Sequence, residues 1–230
     1  PITIEDAEAT VTITDGAGDE RSGDVIVNCK RGVLPPVGHS WFVDLQPKDT
    51  FDPTEPEEPE RIWTYKFAGD NFAAPPWEAT KFKGEGRSGR YNTDIKYFTG
   101  QVGEGNFTGS YRIKHADNTG GLKAEWTNVP VKYFLEHINY PQVLSGPVTG
   151  NIEYTMDHDD PGGTMKGTGR FSIKDGQFNW EVFQNEFKDG IASGLPAMPS
   201  RKFSEMSADL TLDGDKVTTK NVVLTAEGMS

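Results

Sequence analysis

Val148-Thr149-Gly150-Asn151-Ile152-Glu153-Tyr154-Thr155-Met156 sets an apolar or small residue at every second position and a polar one between. Side chains on an extended strand point alternately to opposite faces, so this spacing specifies a strand with one greasy face and one wet face. The same device recurs downstream. Met165, Gly167, Gly169, Phe171 and Ile173 alternate with Lys166, Thr168, Arg170 and Ser172. Met206, Ala208, Leu210 and Leu212 alternate with Ser207, Asp209 and Thr211, and Val222, Leu224 and Ala226 with Val223 and Thr225. Strands of this kind build a sheet that is apolar on one side only, and the identity of whatever covers that side decides the function.

Upstream, Ala9, Val11 and Ile13 mark a first strand, and Asp24 to Cys29 a return strand after the turn Asp15 to Asp19. Ser40 to Leu45 reads as another short strand. Trp63, Tyr65 and Phe67 face one way, with Thr64 and Lys66 the other. Phe72 to Trp77 reads as an apolar loop, and Arg90 to Val102 with Phe107 to Ile113 as a hairpin. Leu122, Ala124 and Trp126 continue the apolar face, on which Tyr97 is also expected. Two short helices interrupt the sheet. One spans Pro130 to Asn139, with Phe134, Leu135 and Ile138 as its stripe; the other spans Asn179 to Ile191, with Trp180, Val182, Phe183 and Phe187 at helical spacing. The stretch from Lys48 to Glu60 holds three prolines and six acidic residues and reads as a solvated loop. A soft boundary near residue 128 divides an N-terminal β region, 1–128, from a C-terminal unit, 129–230.

Composition narrows the function classes. The 230 residues carry a formal net charge of -12, 26 Gly and 15 Pro. Nucleic acid needs clustered Lys and Arg to displace counterions, so this balance argues against it. It equally disfavours docking on anionic head groups. The single cysteine, Cys29, cannot form an internal disulfide and falls on the apolar face, where a buried, inert thiol is expected. No apolar run of about eighteen residues exists to span a bilayer. A chain that opens at Pro1 and stops while a strand pattern is running reads as part of a longer polypeptide, with any membrane anchor outside it.

Catalytic and metal motifs are weak. Asp157-His158-Asp159-Asp160 offers oxygen and imidazole ligands, but Pro161-Gly162-Gly163 follows at once, and a solvated hairpin turn is the expectation. Gly84-Glu85-Gly86-Arg87-Ser88-Gly89 lacks P-loop form and reads as a flexible turn. Glu125 beside Trp126 and Glu181 beside Trp180 fit two-faced elements better than a carboxylate pair. The four histidines stand in no triad or zinc spacing. No enzyme, cofactor or metal is expected.

Gly167, Gly169, Phe171, Ile173, Asp175 and Gly176 spell G-x-G-x-F-x-I-x-D-G. A phenylalanine-led strand from Phe203 and an Asp213-Gly214 turn follow, then Val222, Leu224, Gly228 and Met229 as V-x-L-x-x-x-G-M. Leu144, Gly146 and Gly150 precede them as L-x-G-x-x-x-G. This order, over about the last hundred residues, resembles the C-terminal region of AsmA-type bridge-like envelope lipid-transfer proteins. The Pro-acid stretch at 48–60 departs from the family's pattern. The resemblance implies a mostly β fold, a curved antiparallel sheet forming an apolar groove. It also implies a periplasmic protein that binds or conducts phospholipid between membranes, or supports outer-membrane biogenesis. Phospholipid or another acyl-chain lipid is the expected partner. The expected groove wall is Phe107, Tyr111, Ile113, Ile152, Tyr154, Met156, Phe171, Ile173, Leu210, Leu212, Val222 and Leu224. The competing expectations are a closed β-sandwich with a scaffolding role and a glycan-binding module using Trp63, Trp77 or Trp126.

Overall fold

Period-two alternation produces the strands it specifies. A computed structural model describes residues 3–15, 21–33, 62–74, 77–89, 91–137, 139–187 and 201–226. The expected strand at 40–45, the Pro-acid stretch at 48–60 and the segment 188–200 lie outside the described residues. The strands are β1 (Thr3–Asp15), β2 (Arg21–Val33), β3 (Trp63–Ala74), β4 (Trp77–Ser88), β5 (Asn92–Val102), β6 (Gly105–Lys114), β7 (Thr119–Pro130), β8 (Leu144–Ser145), β9 (Pro147–Asp157), β10 (Lys166–Phe178), β11 (Arg201–Asp213) and β12 (Lys216–Ala226). Among the described residues three short helices accompany them: α1 (Lys132–His137), α2 (Pro161–Thr164) and α3 (Trp180–Phe187).

All twelve strands belong to one sheet, in the order β1-β2-β3-β4-β5-β6-β7-β9-β10-β11-β12, with β8 paired to β10. The sheet is curved and open, because β1 and β12 stand at opposite ends of that order and do not pair. The sandwich alternative required two facing sheets; the described strands make one. Nearly every ladder is antiparallel. The exception is β2 with β3, which run parallel, from Gly23 opposite Trp63 to Val33 opposite Ala73. A parallel pair needs a connection of a dozen residues or more, and the segment between Val33 and Trp63 is long enough to supply it.

Left-handed backbone interrupts the strands at Asp6, Lys81, Asn128, Asp175 and Asn221, with φ between 49 and 56°. At Lys81, Asn128 and Asn221 the ladder register slips by one residue. Asn and Asp tolerate this conformation because a short polar side chain can bond locally. Such bulges bend a strand and sharpen its twist, which is how a wide sheet acquires curvature.

Two expectations need correction. Phe72, Ala73, Ala74 and Trp77 are not loop: β3 runs to Ala74 and β4 starts at Trp77, the two facing each other in the ladder, while residues 75–76 lie outside the described residues. Gly84 to Ser88 is not a turn either. It is the second half of β4, paired on both sides. Its glycines alternate with Glu85 and Arg87 as Gly167 and Gly169 do with Thr168 and Arg170, so the same rule applied.

The covered core lies at one end of the apolar face. Val131 and Leu135 pack with Val148, Ile173 and Phe203, while Val102 and Val129 pack beside Phe107, Trp126 and Phe134. Helix α1 is shorter than the expected 130–139, and Trp126 and Phe134 meet with ring centroids 5.3 Å apart. Helix α3 begins where Asn179 accepts a hydrogen bond from the Val182 amide, an N-cap. Its Trp180 and Phe183 close on Phe178.

Candidate functional site

Ladder register carries single rows of residues across the whole sheet. One row passes through Val11, Val25, Tyr65, Gly86, Ile95, Tyr111, Leu122, Tyr154, Gly167, Leu212 and Val217. The next passes through Ala9, Val27, Phe67, Gly84, Phe98, Gly109, Ala124, Ile152, Gly169, Leu210 and Thr219. Neither contains a charged residue.

In the second of these rows, and in the neighbouring row through Gly100, Phe107, Trp126 and Gly150, large side chains face glycines, and the rings lie over the glycine backbone. A Cβ at Gly100 would sit 2.8 Å from Cζ of Phe107, and one at Gly150 2.9 Å from Cζ2 of Trp126. The rings of Phe67 and Phe98 lie closer still over Gly84 and Gly109. Each ring thus buries one of its faces on the neighbouring strand. This is how a single-layer sheet shields aromatic area without a second sheet. Phe67, Phe72, Phe82, Phe98 and Phe107 join into a strip, with neighbouring centroids 4.5 to 6.2 Å apart.

The opposite face is polar and ion-paired across strands. Asp94, 8% exposed, accepts from both Arg87 and Arg112. Lys96 pairs with Glu85 at 3.1 Å, and Lys123 with Glu153 at 2.7 Å. Tyr97 belongs here, opposite Glu85 and 40% exposed, which corrects its expected place on the apolar face. A register slip between Ile95 and Phe98 reverses the alternation inside β5.

The twelve expected wall residues fall on the apolar face but in three environments. Phe107, Ile152, Tyr154, Met156, Phe171, Leu210 and Leu212 are half-buried. Tyr111, Ile113 and Ile173 are buried, at 7%, 2% and 2% exposed. Val222 and Leu224, on β12, are 61% and 54% exposed. Register brings Tyr111, Tyr154 and Leu212 into one row and Ile152 and Leu210 into the next. Phe98, Ile95 and Leu122 also belong to the wall; the slip in β5 hid the first two from alternation counting.

Burial raises the hydroxyl pKa of Tyr65, Tyr111 and Tyr154, all in the first row. Tyr111 is pushed far up, by desolvation first and then by Tyr154. Its hydroxyl lies 2.8 Å from Nε2 of His158. Desolvation lowers the His158 pKa, with Asp157 and Asp159 opposing. A dry environment favours the neutral form of each group. The indole N–H of Trp126 is buried with no partner, another sign of a wall poor in acceptors.

The remaining candidates have local roles. Asp157, Asp159 and Asp160 form a turn: Asp157 accepts from the Asp159 amide at 2.8 Å, Asp159 from Asn118 at 2.7 Å, and Asp160 caps α2 through the Gly163 amide at 3.0 Å. Glu125 and Glu181 are exposed, and Trp126 lies against Phe134 instead of offering a free platform. Trp63 covers Gly23, and the Trp77 side chain lies outside the described residues. Cys29 is only half-buried, less than expected, because β2 lies toward an end of the sheet. Desolvation and then Asp70 raise its pKa, which keeps the thiol protonated and unreactive. No described helix is long and apolar enough to cross a membrane.

Comparison of the chain with family models, curated proteins and solved structures returns no match.

Proposed function

We propose that this chain is a non-enzymatic, periplasmic lipid-binding element of a cell envelope, holding acyl chains against the uncharged face of its curved sheet. The observation that carries this reading is the pair of charge-free rows crossing every strand on the sheet's path. One layer of strands forms them, and α1 covers only one end. Hydrocarbon needs such a wall, free of charges, and each CH₂ withdrawn from water contributes about 0.8 kcal/mol. The rows hold no charged side chain that would fix a lipid at one position, so a chain is free to slide along them. That favours conduction of phospholipid, or support of outer-membrane assembly, over storage at one site. The G-x-G-x-F-x-I-x-D-G and V-x-L-x-x-x-G-M patterns, which resemble AsmA-type proteins, point the same way and supply the envelope setting.

Native mass spectrometry and solvent extraction of protein purified from Gram-negative cells test it. Co-purified phospholipid, displaced by detergent and lost on Ile152→Glu, supports the reading. A lipid-free protein that also fails to take up a spin-labelled phospholipid from vesicles rejects it.

A further inference from the structure

Both end strands of the sheet present an outer edge that no described strand occupies, β1 at one end and β12 at the other. An edge strand displays a row of unpaired N–H and C=O groups and is a template for a further strand. On β12 this edge carries unusually apolar surface, with Val217, Val222, Val223 and Leu224 exposed at 64, 61, 47 and 54%.

The two edges are complementary in charge. β12 holds Lys216 and Lys220 and no acidic residue, whereas β1 holds Glu5, Asp6, Glu8 and Asp15 and no basic one. They also match in direction. Ten pairings lead from β1 to β12 and only β2 with β3 is parallel, leaving nine reversals, so the two end strands run opposite ways. A second copy set beside the first in the same orientation therefore brings its β1 antiparallel to β12, with both apolar faces on one side. Register agrees as well. Lys220 shares a row with Asp209, Arg170, Asn151, Glu125, Thr108, Thr99, Lys83, Ala68, Asn28 and finally Glu8. Continuing the rows from one copy into the next sets Lys220 against Glu8, Thr219 against Ala9, and Val217 against Val11.

We propose that copies of this chain join edge to edge, β12 of one against β1 of the next, extending the sheet and its apolar face as an open series. The self-pairing alternative, β12 on β12, would juxtapose lysines and is disfavoured by like charge.

Sedimentation velocity of the 230-residue chain over a concentration series is expected to show mass increasing with concentration. Lys220→Glu and Glu8→Lys should each raise the half-association concentration by about fivefold, and the double swap should restore it. In a Cys29→Ser background, Ala9→Cys with Thr219→Cys should give a ladder of disulfide-linked oligomers on mild oxidation, and Thr219→Cys alone should give none. Both positions are exposed, and matching circular dichroism spectra would exclude misfolding. A chain that stays monomeric and forms no ladder overturns the inference, as does dimer formation by Thr219→Cys alone. The test is independent of the lipid reading: assembly by a protein that neither carries nor takes up phospholipid would leave this inference standing and remove that one.

Discussion

Glutamate placed at Ile152 and at Ile173 separates an open apolar wall from a sealed core. Both residues lie on the same face, but Ile173 is 2% exposed beneath α1, whereas Ile152 is half-buried in the row that runs from Ala9 to Thr219. Full burial of an isoleucine contributes about 2–3 kcal/mol, so Ile152→Glu forfeits about half of that, and its carboxylate can still meet water. Melting temperature should fall by about 2–6 °C, at the usual 2–4 °C per kcal/mol for a chain of this size. Ile173→Glu loses the whole transfer term and adds several kcal/mol for desolvating a charge, out of a total stability of about 5–15 kcal/mol. It should not yield folded protein at room temperature. For lipid the order reverses in interest. A carboxylate at 152 interrupts the track for about three methylenes, about 2 kcal/mol, and should cut bound phospholipid roughly thirtyfold while the fold survives. The assays are thermal denaturation by circular dichroism and native mass spectrometry of the same preparations. If Ile152→Glu unfolds as completely as Ile173→Glu, the wall is a closed interior and the reasoning fails.

Alanine at Gly109 drives a Cβ into the Phe98 ring and to 2.7 Å from the Lys123 carbonyl oxygen, and should cost about 1–3 kcal/mol in urea unfolding. Gly162→Ala, with nothing within 4 Å, should stay within about 0.5 kcal/mol of the parent. Because burial depresses the His158 pKa, the unfolded chain binds the proton more readily. Stability should therefore be full above the ordinary histidine value, about 6.5, and decline as pH falls through that value toward the folded one. His158→Gln should flatten this slope in denaturant titrations between about pH 7 and 5; an unchanged slope would remove His158 as its source. Asp94→Asn removes ion pairs to Arg87 and Arg112 and should cost about 1–2 kcal/mol, less at high salt because both arginines are largely exposed. A cost equal at low and high salt would contradict the screened ion-pair account.

Strand identity was legible wherever alternation ran unbroken, as in β9, in β10 up to Ile173 and in β11 from Met206 to Leu212, where the side assignments hold in the ladder register. It failed where backbone irregularity shifted the phase. The slip in β5 put Tyr97 on the polar side and hid Ile95 and Phe98, since nothing in their side-chain chemistry announces a bulge. It failed again where glycine stood in for an apolar residue. Gly84 and Gly86 looked like a turn because their missing side chains are supplied by Phe67 and by the close approach of β5, which are visible only in three dimensions.

By itself the sequence determined that this chain forms strands with one dry face and one charged face, because side-chain direction on a strand alternates whatever the neighbours are. Tertiary structure alone decided that the described strands make a single curved layer whose edges no described strand occupies, that one described pair runs parallel, and that α1 covers only one end of the apolar face. Strand order and bulges follow from which backbone groups find partners, and that is settled between distant segments, not within any one of them.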